Sequence, residues 1–401
     1  MAPREIAILT LSFALACGST GAGDAGSTEG STEASTASSG ATSDATGATR
    51  PTADGTDGDG TVGSTGEGTS ADGSTGEDPP PPGSSDLPVP PGPDDVPPPA
   101  GEPGNLRVLD WAGFAAAVSY TFDDGQPTHI QHWPALQATG VNMTFYISTG
   151  NAGLEGFAEM FMDAHASGSE VANHTVNHCY YDQACGSAPA GSHDAELDDA
   201  DAYITGTLGV PGVWTMAYPF GDLGYRDAAQ ARYFMARGTS AGRISPSDGT
   251  DPFDLPTLAA LGGEGQGVFD AAIDDTRAAG DWVTFLFHSI LPGENWYAGV
   301  DVGVITGSIE HAQSYGDVWI DSVVRVGAYW AGQLAVENAT TMADGAAMVL
   351  TWSLPAHFPP GRHVRVTVDG GTVSQGGVPL AWDGHGYYEV ALDAGSLTIA
   401  P

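Results

Sequence analysis

Thr121-Phe122-Asp123-Asp124-Gly125 sets two adjacent carboxylates at the point where an apolar run ends. Neighbouring carboxylates repel unless something positive sits between or beside them, and a divalent metal is the usual remedy. Further along, His174-Thr175-Val176-Asn177-His178 supplies two imidazoles four positions apart. On a helical turn both rings would point to the same side. One carboxylate with two such histidines makes a three-ligand metal site with room left for water.

Those side chains need elements to carry them. Residues 115–122 are apolar, β-branched or aromatic and uncharged, which predicts a buried strand opening onto the two acids. Residues 142–148, 170–172, 214–218 and 282–287 read as further strands. Residues 156–166, 194–208, 225–237, 268–279 and 318–330 read as helices. Alternation of this kind predicts a parallel sheet and, at this length, a barrel. Asp123, Asp124, His174, Pro219 and His288 all come directly after strands, so in a parallel barrel they meet at one mouth.

These motifs, in this order, resemble those of the polysaccharide deacetylases, the carbohydrate esterase family 4 enzymes with a NodB-type domain. The resemblance spans residues 107 to 330. It implies a distorted barrel with fewer than eight complete units, and a zinc ion or another divalent metal held by Asp124, His174 and His178. Such a metal acts as a Lewis acid on an acetyl carbonyl and acidifies water. The resemblance further implies Asp123 as general base and His288 as the acid that protonates the leaving amine or alcohol. Leu286 would line a pocket for the acetyl methyl group. Met216-Ala217-Tyr218-Pro219-Phe220-Gly221 matches the third motif in part: Tyr218, Pro219 and Phe220 are expected at the substrate, with the Phe220 N–H holding the oxyanion. Ala217 stands where many relatives carry an arginine that orients the base. Asp254 is a candidate support for His288. The implied activity is removal of acetyl groups from a polysaccharide, with N-acetylglucosamine polymers such as chitin or peptidoglycan ahead of O-acetylated xylan. The alternative from another class is an inactive surface glycan-binding lipoprotein.

The rest of the 401-residue chain reads as delivery and support. Residues 1–17 resemble an export signal whose apolar run is too short to span a bilayer, ending at Cys17 as in a bacterial lipoprotein. An ordinary signal peptide with an incidental cysteine is the other reading. Residues 18–104 are Ser/Thr/Gly-rich and then Pro-rich, too poor in large apolar side chains to offset ordering entropy, which predicts a disordered tether. The deacetylase-like barrel is expected over 105–332 and a small antiparallel β-sandwich over 333–401. In that last part Trp352, Trp382, Tyr387 and Tyr388 offer either a sugar-stacking platform or core packing. The formal net charge of −39, with arginine the only basic side chain besides histidine, argues against nucleic acid or anionic lipid as partner. The membrane would be reached only through a lipid on Cys17, and the partner is acetylated polysaccharide. Cys179 and Cys185 are expected to pair in an exported protein, a short loop worth ~2 kcal/mol. The rival reading makes Cys179 a further metal ligand.

Overall fold

The structure, a computed structural model, describes residues 85–401; the expected export segment, Cys17 and the linker up to residue 84 lie outside them. Chain order begins β1 (Arg107–Val108), β2 (Ala116–Asp124), α1 (Pro127–Gln137), β3 (Thr144–Ile147), α2 (Phe157–Ala166) and β4 (Glu170–Asn173). It continues through α3 (Asp194–Gly206), β5 (Thr215–Ala217), α4 (Arg226–Gln230), β6 (Met235–Arg237), β7 (Leu258–Ala259), α5 (Gln266–Ala279) and β8 (Trp282–Phe287). A short pair, β9 (Ile290–Leu291) and β10 (Val300–Asp301), precedes α6 (Val302–Ser314), β11 (Val318–Ile320) and α7 (Val323–Glu337).

The sheet order β6-β5-β4-β3-β2-β8-β7 is parallel throughout. β2 is its centre: β8 lies along one edge, while β11 and then β3 share the other. The sheet curls until Leu255, just ahead of β7, bridges in parallel to Arg237 of β6. The expected distorted barrel is therefore present. Period-two alternation sorts its side chains. Along β2, Val118, Tyr120 and Phe122 join Phe285 and Phe287 of β8 in the core under the helices. The intervening Ser119, Thr121 and Asp123 are buried on the other face, and a small cluster of Tyr146, Ala172 and Ala217 lies apart from the outer core.

Two expected helices are corrected. Residues 225–237 are helical only over α4, and β6 follows. Met235, Ala236 and Arg237 pair with Thr215, Met216 and Ala217 of β5, so sheet pairing overrides a local apolar spacing compatible with either state. Residues 318–330 likewise begin as β11, with Val318-Trp319-Ile320 pairing to β2, before α7 starts.

Beyond α7 the chain forms β12 (Thr340–Asp344), β13 (Ala347–Thr351), β14 (His363–Thr367), β15 (Thr372–Gln375), β16 (Val378–Pro379), β17 (Trp382–Asp383), β18 (Tyr387–Ala391) and β19 (Ser396–Ala400). They make two antiparallel sheets, β1-β14-β18-β17 and β12-β13-β19-β15-β16. One apolar cluster joins these sheets to α7 and to the barrel, with Trp282, Trp319, Val323 and Trp330 meeting Val364, Val390, Leu397 and Ile399. The boundary expected between residues 332 and 333 thus falls inside α7, and β1 belongs to a C-terminal sheet. Trp352, Tyr387 and Tyr388 are buried, and the Trp382 indole donates to the Val96 carbonyl, so these aromatics serve packing.

Residues 85–104, part of the tether expected to stay disordered, pack against the folded part of the chain. Arg365, itself buried, donates to the carbonyls of Leu87, Pro88 and Ala112 and pairs with Glu389. Proline-rich backbone offers unmet carbonyls, and one guanidinium with five donors collects several of them. Among the described residues no helix is long and apolar enough to cross a membrane.

Candidate metal centre

β2 ends in two residues that no ordinary strand would tolerate. Asp124 has φ 77° and Gly125 has φ 66°, so the chain turns sharply and throws the Asp124 side chain toward the mouth. A Cβ on Gly125 would meet the Phe157 ring at 2.9 Å, which leaves glycine as the residue that fits there.

His174 and His178 converge, but the expected helical turn between them is absent. The loop after β4 carries Thr175 at φ 67° and His178 at φ 53°. Side chains hold it in this shape. Asn173 Oδ1 accepts from the Thr175 N–H at 2.7 Å, and Thr175 Oγ1 accepts from the His178 N–H at 3.0 Å. Glu196 of α3 accepts from both the backbone and side-chain N–H groups of Asn177, at 2.8 and 2.7 Å. Short polar side chains that bond their own backbone favour such turns over helix. Cys179 and Cys185 form the expected disulfide immediately beyond, which removes Cys179 as a thiolate ligand.

The three candidate ligands lie with one donor atom each inside 4.8 Å of the others. Asp124 Oδ1 is 3.5 Å from His174 Nε2 and 3.5 Å from His178 Nε2. His174 Nδ1 lies 2.8 Å from the Ala217 carbonyl, which can only accept, so its proton sits on Nδ1 and Nε2 turns its lone pair inward. Asp124 Oδ1 is buried without a hydrogen-bond partner among the described residues. A carboxylate oxygen facing two imidazole nitrogens, with nothing bonded to it, is a donor set that suits zinc or a similar divalent cation.

Electrostatics point the same way. Burial pushes the Asp124 carboxyl up, yet the adjacent His174 ring, with His178 and His288, outweighs it and holds the group below the usual carboxylate range. For His174, burial is outweighed by the Asp123 and Asp124 charges, which raise it. Burial, joined by His174, brings His178 down to about 4, so that ring is neutral and able to ligate at pH 7.

Asp123 is buried and its partner is one the sequence reading missed. Arg237 of β6, also buried, bonds Asp123 Oδ2 through one guanidinium nitrogen and donates to the Gly238 carbonyl at 2.8 Å through the other. Its Cζ lies 5.2 Å from the Tyr146 ring centroid. Arg237 pairs in register with Ala217, the position where an arginine was expected. The charge therefore comes from the neighbouring strand at the same level, and the small Ala217 side chain is compatible with its reach. The missed signal was Phe234-Met235-Ala236-Arg237, an apolar run ending in a charge as residues 115–124 do.

His288 follows β8. Burial lowers it, against the pull of the Asp123 and Asp124 charges. Its Nδ1 is buried without a partner among the described residues, so Asp254 is not its support. Leu286 is buried one residue before Phe287, in register with Thr121. Tyr218 is placed elsewhere: buried with Leu197, Met216 and Tyr225, it donates its hydroxyl to the Phe253 carbonyl. A strand side chain next to inward Ala217 must point outward. Pro219 is buried in the following turn, while Phe220 is 49% exposed and 4.4 Å from the His178 ring.

A cleft of about 290 Å³ opens on Asp124 and His178, walled by Ser148, Asn151, Asn177 and Trp296. Tyr180 stacks on Phe220 at 4.0 Å, and Tyr297 meets His288 edge-on at 4.8 Å. Tyr180, Phe220, Trp296 and Tyr297 are the large exposed aromatics among the described residues, and all four surround this mouth.

The family model described as polysaccharide deacetylase matches residues 115–234, so the resemblance read from the motifs holds over that stretch. No curated protein matches the sequence. Among solved structures, a polysaccharide deacetylase from Bacillus cereus is 15% identical, with a TM-score of 0.36 over 52% of this chain and 91% of its own. A family 4 acetyl xylan esterase from Clostridium thermocellum, in complex with a cobalt ion, is also 15% identical, with a TM-score of 0.34 over 52% of this chain and 89% of its own. Likeness at this level carries no argument about substrate or mechanism.

Proposed function

We propose, with the polysaccharide deacetylase domain of residues 115–234 as premise, that this protein is a metal-dependent hydrolase removing acetyl groups from a polysaccharide. The observation that carries the reading is the unpartnered Asp124 Oδ1 aimed at two imidazole nitrogens, beside a second carboxylate held by an arginine. A divalent metal held by Asp124, His174 and His178 would supply Lewis acidity toward the acetyl carbonyl and the attacking water.

The chain's own groups divide the proton work. Asp123, bonded to Arg237 through Oδ2, keeps Oδ1 free and buried, and takes the proton of the attacking water there. Arg237 holds that carboxylate in place. His288 delivers a proton to the leaving atom as the carbon–nitrogen or carbon–oxygen bond breaks. An amine leaves as the neutral group only once protonated, so a placed acid suits N-acetyl groups, and an N-acetylglucosamine polymer is the proposed substrate class. Four exposed aromatics around the mouth support a sugar substrate, since pyranose faces pack on aromatic rings as other apolar surfaces do. Export, with an anchor at Cys17, belongs to the same proposal.

Acetate release from chitooligosaccharides, peptidoglycan and acetylated xylan, before and after chelation, tests the reading. Release is expected from the N-acetylated substrates, abolished by chelation and restored by Zn²⁺ or Co²⁺. Release that persists after full metal removal refutes the metal role, and binding across the panel with no acetate released favours a glycan-binding protein. Asp123→Asn is expected to lower turnover by about 10²–10⁴-fold while the protein still holds close to one equivalent of metal. Loss of the metal instead means that base and ligand are exchanged.

A further inference from the structure

Gln126, two residues past Asp124, is 1% exposed and uses both ends of its amide. Its Nε2 donates to Asp124 Oδ2 at 2.9 Å, and its Oε1 accepts from the Ser289 hydroxyl at 2.6 Å. Ser289 Oγ in turn accepts from the Tyr297 N–H at 3.1 Å. The direction of this chain is fixed. An ionised carboxylate can only accept, so the Gln126 nitrogen faces Asp124 and its Oε1 faces Ser289, whose hydroxyl accepts from the Tyr297 N–H and donates its own proton to the amide oxygen. α1, which begins beside Gln126, reinforces the link: Thr128 Oγ1 accepts from the Ile290 N–H at 3.0 Å, and His129 Nε2 lies 2.7 Å from the His288 carbonyl.

We infer that Gln126 is a positioning residue: it sets the rotation of the Asp124 carboxylate, so that Oδ1 faces the two imidazoles, and ties it to the loop carrying His288, Trp296 and Tyr297. The inference rests on the metal reading above. An amide is the group this position needs. A carboxylate here would add a third anion beside Asp123 and Asp124, and an ammonium would cancel the charge offered to the cation. A neutral N–H donor occupies one carboxylate oxygen and leaves the other free with its charge intact. Partners of this kind, bonded to a ligand rather than to the metal, tune affinity. The same chain of bonds runs into the loop whose Trp296 walls the cleft, so a sugar pressing on that loop bears on the ligand through three hydrogen bonds.

The test is the dissociation constant of Zn²⁺, measured by chelator competition on the full chain, with the visible spectrum of the Co²⁺ form as a second readout. Gln126→Met keeps the side chain's length and removes its hydrogen bonding. It is expected to weaken binding by about 10–100-fold and to shift the Co²⁺ bands. Ser289→Ala touches no proposed ligand and is expected to weaken binding in the same direction by a smaller factor, since the amide loses the group that orients it. Should Gln126→Met fold poorly, Ser289→Ala carries the test alone. Wild-type affinity in either folded variant, with an unchanged Co²⁺ spectrum, overturns the inference and leaves the proposed function standing. A wild-type protein that takes up no metal overturns both.

Discussion

Two buried carboxylate sites occupy opposite ends of the same strands, and they are finished differently. At the start of β4, Glu170 has every oxygen met: Thr215 donates to Oε1 at 2.6 Å, and Thr144 and the Val324 N–H donate to Oε2 at 2.9 Å each. At the other end, Asp123 Oδ1, Asp124 Oδ1, Arg237 Nε and His288 Nδ1 are buried with no partner among the described residues. Glu170 joins β3, β4 and β5 to the first turn of α7, so its bonds are spent within the fold. The mouth keeps atoms in reserve. A buried polar atom left unmet costs about 1–3 kcal/mol, so several in one place need a compensating ligand or reaction. Burial is common to both sites; what separates structure from function is whether the hydrogen bonds close.

Arg237 is where breaking that contrast has the largest effect. Arg237→Met removes the charge and leaves Asp123 buried and unpaired. Such a group shifts toward its neutral form, in which it cannot take a proton. Acetate release is expected to fall by about 10²–10⁴-fold at neutral pH, with metal content retained. Ala217→Arg/Arg237→Ala, which moves the guanidinium to the facing position on β5, is expected to recover part of the loss. An Arg237→Met protein with near wild-type turnover makes the ion pair a structural feature and nothing more.

That arginine also marks where the sequence stops being legible. The barrel and the convergence of Asp124, His174 and His178 follow from motifs and alternation, because the acid ends, and the histidines follow, a strand whose apolar residues point to one identifiable core. Arg237 did not follow, since residues 225–237 satisfy helical spacing as well as a strand; only pairing with β5 decides between them. Tyr218 failed for a related reason: a motif says which residues lie near a site, but strand alternation turns every second one away from it. Residues 85–104 are held by Arg365, Glu389, Gly384 and Asp369, all far away in the chain, and nothing local to a proline-rich stretch announces such partners.

At the foot of the barrel the expected effect is on stability. Glu170→Gln replaces an acceptor pair that receives three donors by a group with one N–H end facing donors. The variant is expected to lose about 1–3 kcal/mol in denaturant unfolding while Zn²⁺ affinity stays within twofold of wild type. Burial raises the Glu170 carboxyl, against the three donors that favour its ionised form. A variant that loses metal binding before it loses stability would join the two ends of the barrel into one functional unit.

Asp201 lies between these extremes, and its effect shows only in the pH dependence of stability. It accepts from Asn173 Nδ2 at 2.7 Å and from the Tyr233 hydroxyl at 3.0 Å, and Asn173 shapes the turn between the two histidines. Burial lifts its carboxyl from 3.8 to about 6 against those bonds. The folded state thus holds this proton more tightly than the unfolded chain. By linkage, Asp201 contributes most stability below pH 3.8; the contribution is lost as pH rises to about 6 and is flat above. Other acids titrate in the same window, so the informative quantity is the wild-type unfolding free energy minus that of Asp201→Asn, which keeps the acceptor for Asn173 and has no proton to lose. That difference is expected to fall by on the order of 2–3 kcal/mol between pH 4 and 6 and then to level. A difference that stays constant across the window would mean that Asp201 is solvated like an ordinary surface acid and adds no pH-dependent brace to the histidine loop.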